Sequence, residues 1–152
     1  MEKTFVCENC FRVIYDRCDC DNPKLISIDE DLAPFISKLW QLGIQTSFCC
    51  SGHLLQKKKN LEIAFDDGIY ITFKFKNEEM AISFIVELEK LGLKSKFMGQ
   101  YHRDEKFFKL DLSGNPIVIL RAIKSKTLIE YFQNKSEFLL AINQIIDHYK
   151  LL

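Results

Sequence analysis

Four of the six cysteines in this chain fall within fourteen residues, spaced Cys7-x2-Cys10-x7-Cys18-x1-Cys20. No other feature constrains the fold as much. Thiolates from two short turns can complete a tetrahedron around one metal ion. The segment around them, residues 1–24, has too few apolar side chains to account for the cysteines by burial. Spaced cysteine pairs are among the more specific sequence signals. The pattern therefore predicts one ion held by Cys7, Cys10, Cys18 and Cys20. Zinc is the expected occupant, as the commoner ion in a short closed turn, although four thiolates also suit an iron–sulfur centre. Four protein ligands leave no coordination position for water, so the expected role is structural.

The segment Phe5-Val6-Cys7-Glu8-Asn9-Cys10 resembles the first knuckle of a zinc ribbon. Cys18-Asp19-Cys20 departs from that pattern, with one intervening residue instead of two. The departure leaves His53 and Cys50 as alternative ligands should the chain fold back on itself.

A length of 152 residues fits one ordinary domain with a small appendage, and predicts a zinc-binding N-terminal knuckle over 1–24 and an α+β domain over 25–152. The second part is long enough to bury its own core. Net charge is zero, but residues 1–31 carry 4 Lys and Arg against 8 Asp and Glu, and the remainder carries 17 against 13. That asymmetry permits an acidic or nucleic-acid partner for the main body without requiring one. The first residues hold no apolar run of signal-peptide length, and no stretch approaches the roughly 18 apolar residues of a membrane span. The expected location is the cytoplasm, with no membrane partner. Cysteines there read as metal ligands or reactive thiols before disulfides.

Hydrophobic periodicity supplies the elements. Leu32, Phe35, Ile36 and Leu39 mark one face of a helix, with Asp31 as expected N-cap, Pro34 in the first turn and Gly43 at the end. Ile44, Thr46 and Phe48 alternate as a short strand. Leu61 to Phe65 and Ile69 to Phe75 read as a hairpin turning at Asp67-Gly68. Asn77 caps a second helix that closes at Gly92. Phe97 to Tyr101 and Phe107 to Leu112 read as another hairpin, Ile117 to Phe132 as an imperfect helix in which Val118-Ile119 could equally be strand, and Ser136 as the cap of the last helix. Hairpins with helices between and after them predict an α+β fold: a mainly antiparallel sheet with helices on one face, preceded by the zinc knuckle.

The second cysteine-bearing segment is Cys49-Cys50-Ser51-Gly52-His53, expected as a loop at the end of the short strand. Cys50 and His53 are the candidate catalytic pair, since an adjacent imidazolium lowers a thiol's pKa and the thiolate is the nucleophile. Ser51 and Gly52 are candidate ligand-binding residues through their amides, with Lys57, Lys58 and Lys59 adding positive potential downstream. The competing expectation is structural, with one cysteine in the core and His53 closing a turn. If strand alternation continues, Cys50 shares a side with Thr46 and Phe48 and Cys49 takes the other; Cys50 is the one expected to be accessible.

The run from Gly43 to His53, after an acidic helix start, resembles a set of uncharacterised small proteins of low-GC bacteria and their phages. These carry an N-terminal cysteine cluster and a similar Cys-Ser-Gly-His segment. Thr46 to Gly52 is also similar to the Ser-Ser-Cys-Ser-Gly-Arg segment of the wybutosine-synthesis methyltransferase family, with His53 where that family has arginine. There the Cys-Ser-Gly segment lies near the cofactor, which implies that Cys50, Ser51, Gly52 and His53 line a pocket. The activity itself is not implied.

Lys57 to Lys59, Lys74, Lys76, Lys94, Lys96, Arg103, Lys106 and Lys109 could gather on a basic sheet face, read at this point as an ordinary solvated surface with weak or absent nucleic-acid binding. Tyr70, Tyr101 and Phe108, interleaved with them, read as packing residues, and neither His102 nor His148 has an evident partner. The functional expectation is a small zinc-stabilised binding protein, phage- or mobile-element-related, that acts by contact with a protein, nucleic-acid or nucleotide partner. The alternative is an enzyme using Cys50 and His53 on a nucleotide or modified base.

Overall fold

The computed structural model describes residues 3–13, 18–56, 63–98 and 107–152, with backbone alone at 53–56 and 63–67. Among them, strands β1 (Lys3–Cys7) and β2 (Leu25–Asp29) form an antiparallel pair. Strands β3 (Gln45–Gln56), β4 (Ile63–Lys74), β5 (Lys109–Leu110) and β6 (Pro116–Arg121) form an antiparallel sheet in the order β3-β4-β6-β5. The helices are α1 (Ala33–Gln41), α2 (Glu78–Lys90), α3 (Lys94–Met98) and α4 (Leu128–Lys150). The architecture is α+β, as the alternating pattern predicts.

One face of the four-stranded sheet carries the core. Ile69, Ile71 and Phe73 of β4 and Val118 and Leu120 of β6 are buried against Phe84 and Leu88 of α2 and Phe138, Ile142 and Ile145 of α4. Phe84 is the centre of an aromatic group, with ring centroids 4.8 Å from Phe73, 5.1 Å from Phe75 and 5.9 Å from Tyr149. Alternation along β6 is regular, buried then half-buried, because β-branched Ile117, Val118 and Ile119 suit a pleated surface.

The expected boundary after residue 24 falls between the two strands of the β1–β2 hairpin. Val6 and Val13, on the knuckle side, belong to the same buried cluster as the helices. The knuckle is thus sewn onto the main body by a strand pairing and by shared apolar burial.

Several local expectations change. Leu32, not Asp31, precedes α1, and Asp31 instead forms an ion pair with Lys135 of α4. Of the expected helix over 117–132, Ile117 to Arg121 belong to strand β6, the alternative that Val118-Ile119 left open, and helix begins only at Leu128. α4 starts earlier than Ser136, because Thr127 and Glu130 form a reciprocal capping box: Glu130 N–H donates to Thr127 Oγ1 at 3.1 Å, and Thr127 N–H donates back to the Glu130 carboxylate at 3.3 Å. Phe97 lies in α3, where it and Met98 are buried, and not in a strand. Asp67-Gly68 does not turn the chain. It lies inside β4, where the register slips between the Ser51↔Ile69 and His53↔Asp66 pairs, and Gly52 takes φ +78° opposite the slip. The glycine pair that reads as a turn is a strand irregularity, which bends a long strand without reversing it.

His148 has a partner after all. Its Nε2 meets the Glu87 carboxylate and joins α4 to α2, with Lys90 Nζ 3.2 Å from the other Glu87 oxygen. His148, then Lys90, hold the Glu87 carboxyl below the usual glutamate range. A depressed folded pKa contributes stability above the unfolded value of about 4.3, and that contribution is lost as pH falls through the lower folded value. Glu87→Gln is therefore expected to flatten the stability profile in this acid range and leave it parallel to the parent above about pH 6. Urea denaturation across pH 3 to 7 checks this; an unchanged acid limb would mean that the pair carries no stability.

Candidate metal centre and the Cys-Ser-Gly strand

Cys7 ends β1 and lies in the fully buried wall of the hairpin; Cys10 follows one tight turn later. That turn is held by backbone bonds independent of sulfur. Phe11 N–H donates to Cys7 O at 2.7 Å, Cys7 N–H to Arg12 O at 3.0 Å, and Glu8 N–H to Lys24 O at 2.8 Å. Phe11 sits at φ +66°, in the left-handed region that a residue with a Cβ enters only when its surroundings over-determine it. Here they do: its ring packs edge-on against Trp40 at 6.3 Å, and Ser37 Oγ donates to its carbonyl. Ser37 and Trp40 of α1 thus clamp the knuckle.

Cys18 and Cys20 return to the same point. Cys10 and Cys18 sulfurs are 3.5 Å apart, Cys7 and Cys20 sulfurs 4.0 Å, and all four lie within 4.8 Å of one another. A zinc–sulfur bond of about 2.3 Å gives a tetrahedron whose sulfurs are about 3.8 Å apart. The observed spacing suits that figure and is far beyond the roughly 2.05 Å of a disulfide; all four cysteines are free. The single residue between Cys18 and Cys20 does not prevent convergence, and these four are the set that converges among the described residues. They could hold a metal ion.

The electrostatics point the same way. The backbone N–H of Cys10 draws the Cys7 thiol down to about 6, while the neighbouring thiols, Cys18 first, push Cys20 up to about 12. One thiolate formed in the cluster suppresses the next. A divalent cation at the centre inverts that balance by its own charge and lets every ligand ionise.

The Cys-Cys-Ser-Gly-His segment is not a loop at a strand's end. It lies within β3, paired to β4. A register shift between Thr46 and Cys49 inserts an extra residue at Ser47-Phe48 and inverts the alternation beyond it. Cys49 consequently lies opposite Ile71 on the core side with Thr46, and Cys50 lies opposite Tyr70 on the other side. Burial pushes the Cys49 thiol up to about 12. Alkylation at pH 8 is expected to label Cys50 at least ten times faster than Cys49, because the thiolate is the reactive form. Peptide mapping after a short iodoacetamide pulse reads both sites; equal labelling would contradict this placement.

Ser51 is wholly buried, not presented to a ligand. Its N–H and Oγ donate to Asp29 Oδ2 at 2.9 and 3.2 Å, and Tyr131 OH donates to its carbonyl at 3.2 Å. β3 is the edge of its sheet, and these two side chains satisfy backbone groups that a missing strand would otherwise take. Gly52 is buried beside it. His53 pairs with Asp66 by register, its side chain lying outside the described residues together with Lys57, Lys58 and Lys59. His102, Arg103, Lys106 and Tyr101 also lie outside them.

Asp29 and Tyr131 carry no motif, so residue patterning alone passes over them. Asp29 ends a strand and reads as a solvated turn acid. Tyr131 lies seven residues before Phe138 on the buried side of α4, a signal that emerges only when the helix is started at Thr127. Among the described residues, no helix is long and apolar enough to cross a membrane. No protein-family model, curated protein or solved structure matches the chain.

Proposed function

We propose that this is a small zinc-stabilised binding module. Its Cys7–Cys10–Cys18–Cys20 centre holds one structural zinc, and its work is done by contact with a partner, whether a protein, a nucleic acid or a nucleotide. The observation that supports this is the closed set of four sulfurs at tetrahedral spacing. Such a set stabilises without offering a position for substrate or water. The hairpin it anchors, with β3, borders the groove formed by Trp40, Phe48 and Phe11, so the ion stiffens a surface and not a reaction centre. A phage or mobile-element role belongs to this reading only through the resemblance of residues 43–53.

The enzyme alternative has less behind it. Ser51 is consumed by Asp29 and Tyr131, and Cys50 and Gly52 belong to a paired strand. Elemental analysis of freshly reduced protein tests the leading reading: about one zinc per chain is expected. A preparation with no metal, or with iron and sulfide in place of zinc, would overturn it.

A further inference from the structure

Two strand edges face each other across a gap. β2 pairs with β1 alone and β3 with β4 alone, and the two form no ladder with each other, although α1 links them directly. They touch at one point, where Ser51 N–H and Oγ reach Asp29 Oδ2. Behind that contact they part. A groove of about 710 Å³ lies between Ile26–Ile28 of β2 and Gln45–Cys49 of β3, with Trp40 of α1 in its lining. Both strands run toward the contact, so they are oriented alike. A single strand laid antiparallel between them would have a neighbour on either side.

Hydrogen bonding along an antiparallel strand alternates, with every second residue turned toward its partner and the rest turned away. On β2 the phase follows from Glu8 N–H, which donates to Lys24 O at 2.8 Å. Lys24, Ile26 and Ile28 therefore face β1, and Ser27 turns its N–H and C=O to the groove. On β3 the phase follows from Ser51, whose N–H and C=O point away from β4 to Asp29 and Tyr131. Cys49, two residues earlier in the same register, is turned the same way. Asp29 and Tyr131 thus stand in for a strand at Ser51, and no strand lies beside the outward edge at Ser27 or Cys49. Phe48, lifted out by the register shift, is 70% exposed at the groove wall, with Lys3 and Lys74 in the same lining. The acid in that lining, Glu8, is engaged by Lys24 at 3.3 Å, which leaves the groove positive.

We propose that this slot takes an extended segment of a partner protein as an added strand, joining the two sheets into one. The proposal rests on the binding-module reading and names the partner's chemistry. A strand advances about 3.3 Å per residue, lies about 4.8 Å from its neighbour and takes about 10 Å of depth, so the groove has room for about four residues. Backbone bonds to both edges supply affinity, and alternate side chains supply selectivity. One apolar side chain covers Phe48, and an Asp or Glu meets Lys3 and Lys74. A nucleic acid or a nucleotide has no alternating row of N–H and C=O groups to match two strand edges, so the geometry favours a peptide.

Selection of random displayed peptides, about 12 residues long, against the full-length metal-loaded protein tests this, with fluorescence anisotropy of the enriched peptide as the readout. Enriched sequences should carry an acid in an alternating apolar segment free of proline. N-methylation at each of about four consecutive amides should weaken binding about tenfold, because successive amides bond to opposite edges. Loss at alternate amides only would mean docking on one edge and would overturn the two-edged slot. Phe48→Ala should cost about tenfold, as an exposed aromatic anchor does. Lys3→Glu with Lys74→Glu should cost more than about tenfold at low salt and less at high salt. Ser27→Pro removes an N–H that β1 does not use, so it should weaken binding about tenfold with the melting temperature near the parent value. Lys124→Glu, outside the groove, should change nothing. Failure to enrich any peptide, or binding indifferent to N-methylation and to Phe48→Ala, overturns the proposal. So does a concentration-dependent dimer broken by Phe48→Ala, which would make a second copy of the chain the occupant. One zinc per chain in a preparation that enriches no peptide would leave the module reading intact and remove only the peptide.

Discussion

Cys7→Ser is expected to empty the metal centre and lower the melting temperature by about 10 °C, while Cys50→Ser leaves both unchanged. The size follows from what the centre holds in place. Val6 and Val13 flank the ligands and are 0% and 4% exposed. Releasing the knuckle returns both to water at about 1.5 kcal/mol or more each. Disordering of the turn adds to this, giving roughly 3–5 kcal/mol, and a chain of this length loses about 2–4 °C per kcal/mol. The loss should stop there. α2 and α4 bury Phe84, Leu88, Phe138 and Ile142 against the sheet without help from the knuckle, so far-UV ellipticity should stay near the parent value. Because thiolate and not thiol is the ligand, chelators should strip the parent protein more readily as pH falls. Stoichiometric zinc retained by Cys7→Ser, together with an unchanged melting temperature, would show that another ligand set is in use.

Asp29→Ala is the second large effect, expected at about 3–4 kcal/mol. Asp29 is 4% exposed and accepts both the N–H and the hydroxyl of Ser51. Hydrogen bonds to a charged group contribute about 1.5–3 kcal/mol, and a buried amide left without an acceptor costs a further 1–3 kcal/mol, with partial relaxation expected. Asn keeps one acceptor in the same place, so Asp29→Asn should cost only about 1–2 kcal/mol. Tyr131→Phe, which removes the donor to the Ser51 carbonyl, should cost about 1 kcal/mol. Asp29→Ala and Tyr131→Phe act on one network and should not add, which a double-mutant cycle in urea will show. An Asp29→Ala protein within 0.5 kcal/mol of the parent would mean that water takes over these bonds and that β3's edge is open to a ligand. The same result would restore the pocket that the Cys-Ser-Gly resemblance implies.

The contrast between the two cysteine segments shows where patterning is reliable. Cys7 to Cys20 is a local problem: the ligands are close in sequence, the turns are short, and spacing alone decides whether four sulfurs can meet. Even the irregular Cys18-Asp19-Cys20 pair converges, since one residue more or less along a turn is absorbed by side-chain rotation. Cys49 to His53 is a non-local problem. Whether it is a loop or a strand depends on β4, and whether Cys49 or Cys50 meets the core depends on one extra residue at Ser47-Phe48. A slip of one residue exchanges the faces of every side chain beyond it. Ser51 reads as a ligand donor in isolation and becomes an internal tie once Asp29 and Tyr131 arrive from elements 22 and 80 residues away.

The sequence by itself determined the set of four cysteines that could hold a metal ion, the α+β class, the first helix ending at Gly43 and the second capped by Asn77. Each is written in spacing, periodicity or capping within a few residues. Tertiary structure alone decided the fate of the Ile117 segment, which is strand because β4 offers it a ladder. It decided that Asp67-Gly68 bends a strand and does not end one. It also decided which lysines share a face. Lys74 and Lys109 are 35 residues apart and share a row only because each pairs with Ile117, from opposite sides. Charge counted along a neutral chain cannot reveal that, because a sheet gathers charge across strands and not along them.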